Sequence, residues 1–267
     1  MIRRTSFAPA IYVIFIVTPI YWLLVISLKT TREIEGSFIP YPRVPTLENF
    51  EVIFSDPAWY LGYLNAVIYV LINVAISVTV AVPAAYAFSR YRFFGDRILF
   101  FAFLTFRMMA PAILLVPFVQ IFSELNLIDT HIAVAVAHCF FNVPIAVWIL
   151  EGFISAVPRE MDESARIDGY SLLRFVRKIL LPLIAPGIAV TAFFCFMFSW
   201  IEALLANGLT VVDAKPINGI MTRAGSVLAG DMPLLAAAGV LGLIPGLALI
   251  VFMRNHLARG FSMGRVV

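Results

Sequence analysis

Apolar runs long enough to cross a lipid bilayer constrain this chain more than any other feature. A helix rises about 1.5 Å per residue, so roughly 20 apolar residues cover a hydrocarbon core of about 30 Å. Six such runs occupy residues 9–28, 64–88, 98–122, 132–153, 183–205 and 233–253. Composition agrees: 62% of residues are hydrophobic and 13% charged, against about a quarter charged in a soluble domain. The expected class is all-α: a polytopic integral membrane protein with six transmembrane helices in a single domain over residues 1–267. The first run exceeds a secretory signal core and lacks a small-residue cleavage site. It reads as a retained helix with its N-terminus inside. Pro111, Pro117 and Pro144 fall within runs, which membrane helices tolerate where neighbours or a wet cavity satisfy the freed carbonyls.

One charged interval interrupts this apolar text, over residues 155–182. Pro158 suits a first helical position, and Glu160, Asp162 and Glu163 then sit near the positive end of a helix dipole. Gly169 can take the left-handed conformation that closes such a helix. Ser171 can cap a second helix, with Arg174, Arg177 and Lys178 late in it and Pro182 limiting it. The interval predicts two short helices joined by a glycine elbow between the fourth and fifth spans. An amphipathic helix lying on the membrane surface is the plainer alternative.

Cation placement orients the chain. With the N-terminus inside, thirteen Arg and Lys residues fall in cytoplasmic segments and five in external loops (Lys29, Arg32, Arg43, Lys215 and Arg223). That puts the elbow and both termini in the cytoplasm. The net charge of +3 is spread in short clusters at span ends, which gives no continuous basic face and excludes nucleic acid as a partner. Cys139 and Cys195 lie inside apolar runs and read as small hydrophobes. His131, His138 and His256 are scattered, so no metal site is expected. The chain contains no phosphate-cradling GxxxxGK[ST] loop, so no cofactor is expected on it.

The elbow also carries a resemblance. Glu163-Ser164-Ala165, Gly169 after three more residues, then Ile179, Leu181 and Pro182 match the EAA loop of ABC importer permeases, with Ser164 in place of the first Ala. The resemblance implies a coupling helix that docks in a groove of a cytoplasmic ATPase subunit, with Met161, Glu163, Ser164, Ala165, Arg166, Asp168 and Gly169 as coupling residues. On this reading Glu163 pairs with a basic residue of the groove, while Met161 and Ala165 supply apolar contact. The segment Val44-Pro45-Thr46-Leu47-Glu48-Asn49-Phe50 resembles a stretch of the family's first external loop. The whole arrangement is similar to the second permease of carbohydrate and polyol importers of the maltose type, and more finely to glycerol-type permeases. The tail, with Gly260, Phe261 and Gly264, resembles their G-x-x-x-G ending, which implies a second ATPase contact. The implied partners are a second homologous permease, two ATPase subunits that hold ATP and Mg, a periplasmic or lipid-anchored solute-binding protein, and membrane lipid in the bacterial inner membrane.

Polar residues inside spans are the candidates for the solute path. Arg107 sits near the middle of the third run, and a charge at that depth costs about 2.5–3.5 kcal/mol unless a partner or cavity receives it. It either pairs with Glu202 or with the partner subunit, or faces the solute. Asn142, Trp200 and Glu202 complete the candidate path, with His138 as a further polar group. Maltose-type permeases read W-N-E where this chain has Trp200-Ile201-Glu202. Loss of that Asn argues against a typical oligosaccharide path. The small number of polar groups at this depth favours a small neutral polyol over a disaccharide, and a phosphate ester, which Arg107 would favour and an unpaired Glu202 would oppose, is a further alternative. The rival classes are an ion-gradient transporter using Arg107 and Glu202, which leaves the elbow unexplained, and an intramembrane enzyme. The sequence displays no nucleophile–base pair for the second.

Overall fold

The computed structural model describes residues 7–36, 39–227 and 231–263, with side chains described over 9–36, 39–226 and 231–253. Among the described residues every regular element is helical. In order these are α1 (Phe7–Ser27), α2 (Thr31–Gly36), α3 (Glu48–Ser55), α4 (Pro57–Arg90), α5 (Asp96–Arg107), α6 (Pro111–Glu124) and α7 (His131–Ser155). They continue with α8 (Glu160–Ile167), α9 (Leu172–Phe175), a π-helical turn (Val176–Leu180), α10 (Leu181–Leu183), α11 (Ala185–Ile201), α12 (Leu204–Gly208), α13 (Ile217–Val227) and α14 (Met232–Met263).

Four helices are long and apolar enough to cross a membrane, and up to six spans result if each of two bent pairs counts as one. The first pair, α5 and α6, turns by 93°. Pro111 opens α6, and Ala110 before it is extended (φ −70°, ψ 129°), as the ring of a following proline demands. The second pair turns by 78° between Leu183 and Ala185. Pro186 cannot donate to the carbonyl of Pro182, so the ladder breaks there. α4 starts ahead of residue 64, the expected beginning of the second run, because Pro57 suits a first helical turn and the Asp56 carboxylate accepts from the Ala58 N–H at 2.9 Å. α13 lies in what reads in sequence as a loop.

The chain divides into two compact units, residues 1–64 with 217–247, and residues 65–216 with 248–267. In the first, the Asn49 amide donates to the carbonyls of Ser27 and Lys29, both at 2.9 Å, which fixes α3 to the end of α1. The Tyr63 hydroxyl donates to the Ala238 carbonyl at 2.6 Å. The second unit holds both candidate sites. α7 packs against α5 and α11 there, and Ala81, Ala85, Leu150, Ile154, Leu180 and Ile184 are buried at its centre.

Asp129 organises the connection between α12 and α13. Its N–H donates to the Leu209 carbonyl at 2.9 Å. Its carboxylate accepts the N–H groups of Val211, Val212, Asp213 and Ala214 at 2.9–3.1 Å. Burial pushes this carboxyl up, but the four backbone donors outweigh it and hold it at about 2. The stabilisation is therefore complete above the ordinary carboxylate range and is lost as pH falls towards 2. Asp129→Asn is expected to lower stability near neutral pH by on the order of 1 kcal/mol, because solvent screens a carboxylate this exposed. In thermal melts of the purified protein, the gap between wild type and variant should close as pH falls from about 4 to about 2.

Candidate functional site

The elbow forms as two short helices around a glycine. Gly169 has φ +75°, open to glycine but strained for most side chains. The Ser171 hydroxyl accepts the Arg174 N–H and starts α9. α8 buries one face, made by Asp162 and Ala165. On it the Tyr86 hydroxyl donates to Asp162 Oδ1 at 2.6 Å. Arg90 Nε donates to Asp162 Oδ2 at 3.0 Å, with both side chains under 10% exposed. Arg90 Nη2 continues to the Val157 carbonyl at 2.9 Å, and Arg159 Nη2 returns to the Ser89 carbonyl at 3.1 Å. The elbow is thus pinned to the last turn of α4.

The opposite face of α8 is bare. Met161, Glu163, Ser164, Arg166 and Ile167 are exposed, as are Asp168 and Gly169 beyond them. Ala165 corrects the expectation for its residue: it is 3% exposed and packs inside the unit. The reason is its i, i+3 spacing from Asp162, which turns both inward once Tyr86 and Arg90 capture the carboxylate. Asp162, Tyr86 and Arg90 went unselected in the sequence. Their only local signal was the i, i+4 spacing of Tyr86 and Arg90.

A second constellation joins α4, α7 and α11. The Asn142 amide donates to Asn73 Oδ1 at 2.6 Å and to the Cys195 carbonyl at 3.2 Å. Asn73 in turn donates to the Ala135 carbonyl at 3.0 Å. His138 Nδ1 lies 2.8 Å from Ser199 Oγ, and its Nε2 lies 3.0 Å from Glu202 Oε2. An ionised carboxylate only accepts, so Nε2 carries the proton and Nδ1 accepts from the Ser199 hydroxyl, an assignment made from the network. The Glu202 carboxylate also accepts the N–H groups of Leu204, Leu205 and Ala206 at 2.9–3.3 Å. It therefore caps α12 from the end of α11, where its own backbone is extended, rather than lying within a continuous span.

Arg107, His138, Asn142, Phe198, Ser199 and Glu202 line one cavity of about 140 Å³. Arg107 stands at the end of α5, beside the bend, and its guanidinium carbon sits over the Phe198 ring, 4.0 Å from the centroid. Among the described residues it makes no ion pair with Glu202. Trp200 is buried and stacks on Phe196, with centroids 5.8 Å apart; it is not among the residues that line the cavity. The order Ser199–His138–Glu202 does supply a nucleophile–base pair, which the sequence had hidden. Ser199, however, is 1% exposed and also lies within 3.4 Å of the Asn142 amide, so it acts as a polar clamp between α7 and α11. Gly260 and Phe261 lie near the end of α14, where side chains are outside the described residues, and Gly264 lies outside the described residues altogether.

Residues 77–263 match the family of binding-protein-dependent transport system inner membrane components. The chain belongs to this family. The permease is 30% identical to the sulfoquinovosyl glycerol transport system permease protein SmoH of Agrobacterium fabrum, over 92% of this chain and 87% of that protein. It is 28% identical to the trehalose transport system permease protein SugB of Mycobacterium tuberculosis, over 93% and 91%. It is 30% identical to the trehalose/maltose permease protein MalG of Thermococcus litoralis, over 92% and 90%. Its fold is similar to that in the crystal structure of a bacterial ABC transporter that imports the acidic polysaccharide alginate, with a TM-score of 0.79, 19% identity and 95% of each chain covered.

Removing one member of a buried ion pair leaves the other uncompensated and costs roughly 3–5 kcal/mol. Asp162→Ala in the permease is expected to lower its thermal unfolding midpoint by several degrees. Replacing Arg90 and Asp162 together by apolar residues should recover much of that loss. Double-mutant thermal melts in detergent provide the check.

Proposed function

We propose that the chain is the transmembrane permease subunit of an ATP-driven importer that carries a small polyhydroxy solute across the bacterial inner membrane. A second permease, two cytoplasmic ATPase subunits and an external solute-binding protein complete the machine. ATP and Mg bind on the ATPase subunits. The observation that carries this reading is the two-faced α8, pinned to α4 through Asp162 on one side and exposed from Met161 to Ile167 on the other. Such a helix can receive a push on its bare face and pass it on as a rigid body. The bias of Arg and Lys towards the elbow's side of the membrane supports a cytoplasmic location for it and for both termini. Closure of the ATPase dimer then moves the elbow and opens the cavity outward. Nucleotide and solute are coupled because both favour one global state. Met161, Glu163, Ser164, Arg166, Asp168 and Gly169 form the docking surface on this reading, and the tail from Gly260 to Gly264 makes a second ATPase contact.

The lining of the cavity supports a polar solute with an apolar face, because Arg107 stands there beside Pro111, Phe141 and Phe198. The relatives named above belong by their titles to transport systems for sulfoquinovosyl glycerol, for trehalose and for trehalose or maltose, which favours a sugar or glycoside here. Copurification with an ATPase, followed by a ligand panel of glycerol, sugar alcohols, disaccharides and glycosyl glycerols on the cognate binding protein, tests the assignment. Binding of none of these compounds would reject the carbohydrate reading. Gly169→Val is expected to leave the importer assembled in the membrane but to lower transport sharply, since a β-branched residue fits poorly at positive φ. Normal uptake by that variant would remove the elbow from the mechanism.

A further inference from the structure

Arg107 is half-buried, and among the described residues no carboxylate pairs with its guanidinium. Glu202, the acid that shares the cavity, is already engaged by the His138 ring and by three backbone N–H groups. Its oxygens are committed to α7 and α12, so it does not neutralise Arg107 through direct contact. Phe198 meets the guanidinium from the ring face. A cation–π contact of this kind draws on the charge but not on the N–H donors, which remain available for a planar or tetrahedral oxyanion. The cavity of about 140 Å³ is small against the roughly 300–1,000 Å³ of pockets that enclose a whole ligand, so it suits one substituent of a sugar.

We propose that Arg107, seated on Phe198, forms an anion subsite that receives a carboxylate or sulfonate substituent of the transported glycoside. This rests on the carbohydrate reading above and refines it: the solute is an acidic glycoside.

The test uses the complete importer, reconstituted in proteoliposomes with its own binding protein. Three probes share one skeleton: glucosyl glycerol, its uronic-acid counterpart and sulfoquinovosyl glycerol. Wild type should carry at least one of the two acidic probes. Arg107→Gln should lower the ratio of acidic to neutral uptake about tenfold or more, the scale of a lost charge-assisted contact, and Arg107→Lys should recover part of it. An unchanged ratio in Arg107→Gln overturns the subsite, as does wild-type uptake of the neutral probe alone; both leave the carbohydrate reading standing. Failure of Arg107→Gln to assemble, with Arg107→Lys assembling, assigns the cation to an ion pair with the partner permease and also overturns the subsite. Uptake of none of the three probes overturns both readings.

Discussion

A buried carboxylate holds the elbow to the rest of its unit. Asp162 cannot stay charged away from water without donors, and Tyr86 and Arg90 supply them from the last turns of α4. Arg90 is equally dependent, since it also holds the Val157 carbonyl just before the elbow. Each group satisfies another that is costly to leave alone. The elbow is therefore not a loop draped over the bundle but an extension of α4. Under the proposed function, a force on the bare face of α8 enters α4 directly.

The same helix reaches the polar cluster beside the cavity. Asn73 lies on α4 and accepts from Asn142 on α7, which also donates to the Cys195 carbonyl on α11. Hydrogen bonds between helices replace the hydrophobic drive that lipid removes, because an unpaired polar group in hydrocarbon has few alternatives. His138, Ser199 and Glu202 extend the cluster to α12. One continuous set of polar contacts thus runs from α4 through α7 to the walls of the cavity. Arg107 reaches that cavity from the end of α5, beside the bend between α5 and α6.

Apolar run lengths carried the helical membrane class, and fixed spacing around Glu163 and Gly169 carried the elbow. Gly169 was readable because one residue type tolerates its backbone. The four intramembrane polar groups Arg107, His138, Asn142 and Glu202 were legible as exceptions in apolar text, and they line one cavity. What each of them touches was not legible. Glu202 meets His138 across a sequence separation of 64 residues, which no local pattern encodes. Asp162 looked like one more acid in a helix's first turn, and its burial depends on Tyr86, which is 76 residues away. Ala165 was assigned to the outer face for the same reason, since helical periodicity fixes a shared face but not the direction it points. The bends at Ala110 and Ile184 had visible prolines nearby, but their angles depend on packing.

Under the proposed function α8 and the end of α4 move as one piece. Spin labels at the exposed positions Tyr91 and Ile167, introduced as Tyr91→Cys and Ile167→Cys in the complete importer, measure it directly. Electron–electron resonance distances should be compared between the nucleotide-free and ATP-trapped states. The expected result is one narrow distribution that keeps the same position in both states and broadens when Asp162→Ala is added. A distribution that shifts with nucleotide while Asp162 is intact would contradict the rigid attachment.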